Sequence, residues 1–149
     1  MDDVKRGKIE LPSSAFVLNP YKEIDDAASN GNWTSAFATA VTFFEYYGRR
    51  IIRKRGESLQ MRQLDDDISR MTVASIIFTL RVLNIIDETT YKDMKEVNTQ
   101  RNNLIHLDKQ GDPSETTKLV KRYSLQESRA KPLLQKAKEC IQKLVAIVQ

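Results

Sequence analysis

Cysteine, histidine and tryptophan each occur once in this chain of 149 residues, glycine five times and proline four times. A single cysteine, Cys140, excludes an internal disulfide and argues against a cysteine-built metal site. The lone histidine, His106, has neither a second histidine nor a cysteine nearby, which argues against zinc. So few glycines and prolines favour long helices over many short strands. Long hydrophobic runs are missing too. The longest apolar stretch, Val73 to Ile86, is too short to span a bilayer and is interrupted by Arg81 and Asn84. No apolar signal-peptide core is visible near Met1, so the expectation is a cytoplasmic protein without a membrane partner. There is no Gly-rich phosphate loop, no dinucleotide fingerprint and no G-x-S-x-G turn. No resident metal or cofactor is expected.

What is present suits a folded domain. Apolar residues make up 40% and charged residues 30%, with a net charge of +4. That balance argues against global disorder. The mild basicity permits a nucleic-acid partner without requiring one. At this length, folding hides roughly 70% of the surface of the extended chain. Residues 1–18 show no sustained period and read as an N-terminal arm, with one domain over 19–149.

Asn19-Pro20 offers an N-cap followed by proline at the first helical position, and Asn30-Gly31 a stop. Phe37, Val41, Phe44, Gly48 and Ile51 then recur at helical spacing, predicting an amphipathic helix from Trp33 to Arg55 with Gly56 as its C′ residue. Gly48 lies on the apolar stripe, where a missing side chain lets another helix approach. Asp65, Asp66 and Asp67 load the start of one further helix that continues through Ile68, Ile76, Ile77, Leu80 and Leu83. Three adjacent carboxylates raise the question of a metal, but the turn spacing of a calcium loop is missing. Asp87 caps a third helix with the stripe Tyr91, Met94, Val97, Leu104 and Ile105. Gly111-Asp112-Pro113 breaks the pattern, and residues 114–123 read as a short helix or turn. A last helix from Gln126 to Val148 carries Leu134, Ala137, Ile141 and Leu144, with Cys140 as a small core residue. The expected fold is all-α: an antiparallel bundle of four main helices with one or two short extra ones.

Two features carry chemistry. The first is the basic end of the long helix: Arg49, Arg50, Arg53 and Lys54, with Arg55. These cations can offset the helix dipole, at about 0.3–1 kcal/mol each, or track a nucleic-acid backbone. The second is Val97 to Leu107, VNTQRNNLIHL. Arg101 falls on the apolar stripe, where a charge needs a partner or a purpose. Arginine and histidine share one evident use, phosphodiester cleavage without a metal. An imidazole, with an ordinary pKa of about 6.5, can move protons at the 2′- and 5′-oxygens, while a guanidinium stabilises charge growing on the phosphoryl oxygens. Geometry complicates this. Residues five apart lie roughly 140° around and about 7.5 Å along a helix, whereas Asn102 and His106 stack at i and i+4. One helix therefore closes an Arg–His site poorly, and a two-fold homodimer would bring two of each into one cleft.

The run RNNLIH at 101–106 resembles the R-x4-H motif of the HEPN superfamily, in its form with asparagine directly after the arginine. The helical context over residues 33–148 is similar, with an apolar helix end, a short acidic turn and then Tyr91 opening a charged helix. The resemblance implies an all-α bundle that dimerises through its motif helices, and a metal-independent endoribonuclease acting on RNA, as in toxin–antitoxin, defence or RNA-processing systems. It would assign Arg101 to stabilising the phosphorane, His106 to acid or base, and Asn102 to positioning. Glu45 would match a supporting polar residue from an earlier helix, and an antitoxin protein would be a further partner. Other HEPN-like proteins are non-catalytic regulators. The mannitol operon repressor family resembles this chain but alters the Arg/His pattern that is kept here.

Overall fold

In the computed structural model the described residues are 19–59, 64–108 and 127–149, and they form six helices and no strand. The helices are α1 (Pro20–Ser29), α2 (Trp33–Ser58), α3 (Asp65–Ser69), α4 (Val73–Val82), α5 (Glu88–Asp108) and α6 (Glu127–Val148). The expected arm over residues 1–18, the break at Gly111 to Pro113 and the short element at 114–123 lie outside the described residues.

Local sequence accounts for most helix ends. The Asn19 side chain accepts from the backbone N–H groups of Tyr21 and Lys22, ahead of Pro20. The chain leaves α1 through Gly31, whose φ of 72° is strained for residues with a Cβ. Asn32 caps α2 through Ser35 N–H at 3.1 Å. Asp87 Oδ1 accepts from Thr90 N–H at 2.8 Å at the start of α5. That bond, with the Thr90 hydroxyl, holds the Asp87 carboxyl below its ordinary value.

Two boundaries differ from the sequence reading. The single helix expected from Asp65 to Ile86 is two, because the chain breaks at Arg70–Thr72 and Thr72 starts α4 as an extended N-cap bonded to Ser75 N–H. The break is held from outside. Arg49 Nε donates to Ile68 O at 3.3 Å and its Nη2 to Met71 O at 2.7 Å, satisfying carbonyls that helix continuation would have used. The second difference is Gly56. It is a buried residue inside α2, which continues to Ser58 and is capped by Leu59. The cost of glycine in a helix interior, about 1 kcal/mol, is overridden by packing.

α2 is the centre of the bundle and packs against each of the other five helices. Phe37, Ala40, Val41 and Phe44 on it are fully buried, as are Ile76 and Leu80 of α4, Met94 and Val97 of α5, and Ala137, Ile141 and Leu144 of α6. Cys140 joins this core, and burial pushes its thiol up to about 12, so it packs as a small apolar residue. α5 runs antiparallel to α6, since Thr90 meets Lys143 (3.1 Å) while the later Asp93 meets the earlier Lys136 (3.7 Å). α2 and α6 instead end together: Lys54 Nζ donates to Val148 O at 3.3 Å. These two long helices are therefore parallel, with α5 opposed to α6.

Gly48 is where α2 and α4 approach. A Cβ there would press into the Cγ2 methyl of Ile76, a β-branched and fully buried side chain. Gly48→Ala is expected to destabilise the fold by about 1 kcal/mol, within roughly 0–2 kcal/mol. Overpacking costs about 1–3 kcal/mol, and the better helix propensity of alanine returns up to about 1 kcal/mol. A fall in urea midpoint at unchanged slope checks this; a higher midpoint would show that Ile76 yields freely.

Candidate functional site

α5 is continuous from Glu88 to Asp108, so Arg101, Asn102 and His106 share one helix. Their surroundings differ. Val97 and Leu104 are buried and Arg101 is half-buried beside them, whereas Asn102, Asn103 and His106 are exposed. The guanidinium of Arg101 is gripped from two sides by its own helix. Its Nε donates to Asn102 Oδ1 at 2.9 Å, and its Nη2 donates to Asn98 Oδ1 at 3.0 Å. Asn102 thus orients Arg101. Asn98 is a member of this cluster that sequence reasoning did not single out. Its signal was the i, i+3 spacing to the arginine.

The two amide oxygens fix the guanidinium without neutralising it. Among the described residues Arg101 forms no ion pair with a carboxylate. Its Nη1 hydrogens are not engaged by any described residue, which suits an arginine poised to receive an anion from outside the chain. Among the described residues the imidazole of His106 has no hydrogen-bond partner, and the Asn102 oxygen is bonded to Arg101 and not to the imidazole stacked one turn on. Within one chain, Arg101, Asn102 and Asn98 come together and His106 stands apart from them.

Glu45 and the cations of α2 have partners of their own. Glu45 Oε2 accepts from Arg49 Nη2 at 3.1 Å, the same guanidinium that holds the Arg70–Thr72 break. Arg53 bridges to Ser69 Oγ at 3.0 Å and to Asp65 Oδ1 at 3.6 Å, tying α2 to α3. Lys54 reaches the last turn of α6. Arg50 lies 5.6 Å from the Tyr46 ring centroid and donates to its hydroxyl at 3.1 Å. Arg50, Arg53 and Lys54 border a groove that is also lined by Asn84 and Ile85, just before α5. Arg101 lies thirteen residues beyond Glu88, about 20 Å along the helix axis. In one chain, the basic end of α2 and the Arg101 cluster therefore occupy opposite ends of α5.

Asp65, Asp66 and Asp67 are all exposed on α3, and among the described residues no group of three or more His, Cys, Asp or Glu gathers closely enough to hold a metal ion. No described helix is long and apolar enough to cross a membrane. No protein-family model matches the chain, and no match was found among curated proteins or among solved structures.

Proposed function

We propose that this protein is a metal-independent endoribonuclease of the HEPN type, working as a homodimer whose cleft takes Arg101, Asn102 and His106 from each of two chains. The observation that carries this reading is the state of Arg101. It is half-buried, clamped by the neutral amides of Asn98 and Asn102, and unpaired with any described carboxylate, on the same helix as an exposed histidine. Arg49, which has a structural task, does meet a carboxylate, Glu45 at 3.1 Å; Arg101 meets only neutral oxygens and keeps its full charge.

In such a cleft one His106 takes the proton of a ribose 2′-hydroxyl as its oxygen attacks phosphorus. The other His106 gives a proton to the departing 5′-oxygen, leaving a 2′,3′-cyclic phosphate. Arg101 holds the charge on the phosphoryl oxygens, where a planar guanidinium can donate twice. One chain has a single histidine, so a second copy is what supplies both proton transfers. Exposed apolar side chains stand on α4, which packs beside α5. Phe78 and Val82, 57% and 62% exposed, offer surface that a two-fold contact would cover. The biological setting that fits is a cytoplasmic toxin, held by a separate antitoxin, or an RNA-processing or defence component.

The test is mixed RNA incubated with purified protein in EDTA, beside Arg101→Ala and His106→Ala. Cleavage by the wild type is expected, and each variant should be slower by on the order of a hundredfold or more. RNA left intact by the wild type over a wide concentration range would overturn the catalytic reading. Undiminished cleavage by His106→Ala would move the chemistry to other residues.

A further inference from the structure

The groove at the other end of the bundle has a different character. It is about 750 Å³ in volume and is formed where α2 and α6 end and the chain turns from α4 into α5. One wall is basic: Arg50, Arg53, Lys54 and Arg55 of α2, with Glu57 of the same helix the one carboxylate among the described lining residues. The fold accounts for two of these cations: Lys54 satisfies an α6 carbonyl and Arg53 ties down α3. It does not account for the other two. Arg50 rests only on Tyr46 of its own helix, and among the described residues Arg55 has no ion-pair partner.

The apolar side is aliphatic: Ile51, Ile85, Ile147 and Val148. Ile147 is 40% exposed although it is a large apolar residue at a helix end. Among the described residues no aromatic ring lines the groove, so they offer no stacking platform of the kind on which proteins usually hold bases. Asn84, with its φ of 58° in the turn after α4, also lines it. The Asn84 oxygen accepts from Arg81, so its amide hydrogens remain to donate. The volume lies in the range of small-molecule sites.

We infer that this groove binds a small amphiphilic anion, a phosphate or carboxylate head on a single aliphatic chain, with the head on Arg50 and Arg55 and the chain against Ile51, Ile85, Ile147 and Val148. Arginine favours such heads because its fork matches their oxygens in pairs. The lysine and the second arginine add potential without having to move, since Ser69 and Val148 already fix them. The inference is independent of the ribonuclease reading, because the groove and Arg101 lie at opposite ends of α5.

The experiment is calorimetric titration of the full chain with n-decyl phosphate, held below its aggregation concentration, alongside n-decanol, inorganic phosphate, AMP and a single-stranded RNA. Decyl phosphate should saturate at one molecule per chain. It should bind about tenfold or more tighter than decanol and than inorganic phosphate, showing that head and chain both contribute. Arg50→Gln combined with Arg55→Gln should weaken it by about tenfold or more, and so should Ile147→Ser; both changes are at the surface, and unchanged thermal melting of the variants verifies their fold. No saturable binding, more than one molecule per chain, or equal binding by the variants would overturn the inference. AMP binding tighter than decyl phosphate would also overturn it. So would RNA affinity lost in the arginine pair while decyl phosphate binding stays intact, which would make the wall an RNA track instead.

Discussion

A tenfold excess of His106→Ala chains mixed into wild-type protein should depress RNA cleavage per wild-type chain to about a tenth, the statistical share of wild-type chains that still meet a wild-type partner. The expectation follows from the helix that carries the site. α5 is unbroken from Glu88 to Asp108, so Arg101 and His106 are held roughly 140° apart around its axis. Asn98 and Asn102 pin the guanidinium to its own side of that helix. On the proposed reading, His106 would not act on the phosphate held by its own Arg101, and each chain would offer only one imidazole for two proton transfers. If the site were complete in one chain, the inactive chains would be bystanders and activity per wild-type chain would not change. The measurement is the initial cleavage rate after chains have been mixed, unfolded and refolded together, so that pairs re-form at random. Undiminished activity would remove the second chain from the mechanism while leaving a one-chain nuclease open to the EDTA test.

Truncating Phe37 to alanine should cost about 3–5 kcal/mol of stability. Phe37 is fully buried on the helix that every other helix packs against, one stripe with Val41 and Phe44. Removing its ring leaves a hole in a close-packed core, and such a hole collapses only partly. A domain of this kind holds roughly 5–15 kcal/mol in total, so the variant would sit near its folding limit at 25 °C. Leu59→Ala is the control. It truncates an apolar side chain that is 59% exposed, and the change should stay within about 0.5 kcal/mol. Urea unfolding followed by circular dichroism reads both. Similar midpoints for the two variants would mean that α2 does not anchor the core.

Much of this protein was legible residue by residue. The Asn19-Pro20 start, the Asn30-Gly31 exit, the Asp87 cap and the apolar stripes of α2, α5 and α6 all use signals that lie within a turn or two of where they act. The all-α class followed from those stripes and the scarcity of glycine and proline. Asn98 was also local, but a polar residue at i−3 has many uses, and only the folded helix shows its oxygen to be the second clamp on Arg101.

The sequence by itself determined the helices, their buried faces, the close approach at Gly48 and the helix that carries Arg101, Asn102 and His106. Only the tertiary structure decided the rest. It broke the 65–86 helix at Arg70–Thr72, because Arg49, nineteen and twenty-two residues away along the chain, took the carbonyls there. It carried α2 past Gly56, and it set α2 and α6 parallel so that their ends meet at Lys54 and Val148. It divided one run of cations into structural ties and a groove wall, and it put that wall by the start of α5 while Arg101 lies toward its other end. Charge spacing along a helix says which side chains share a face. Which partner satisfies each of them depends on what packs there, and that is fixed by contacts between elements far apart in the chain.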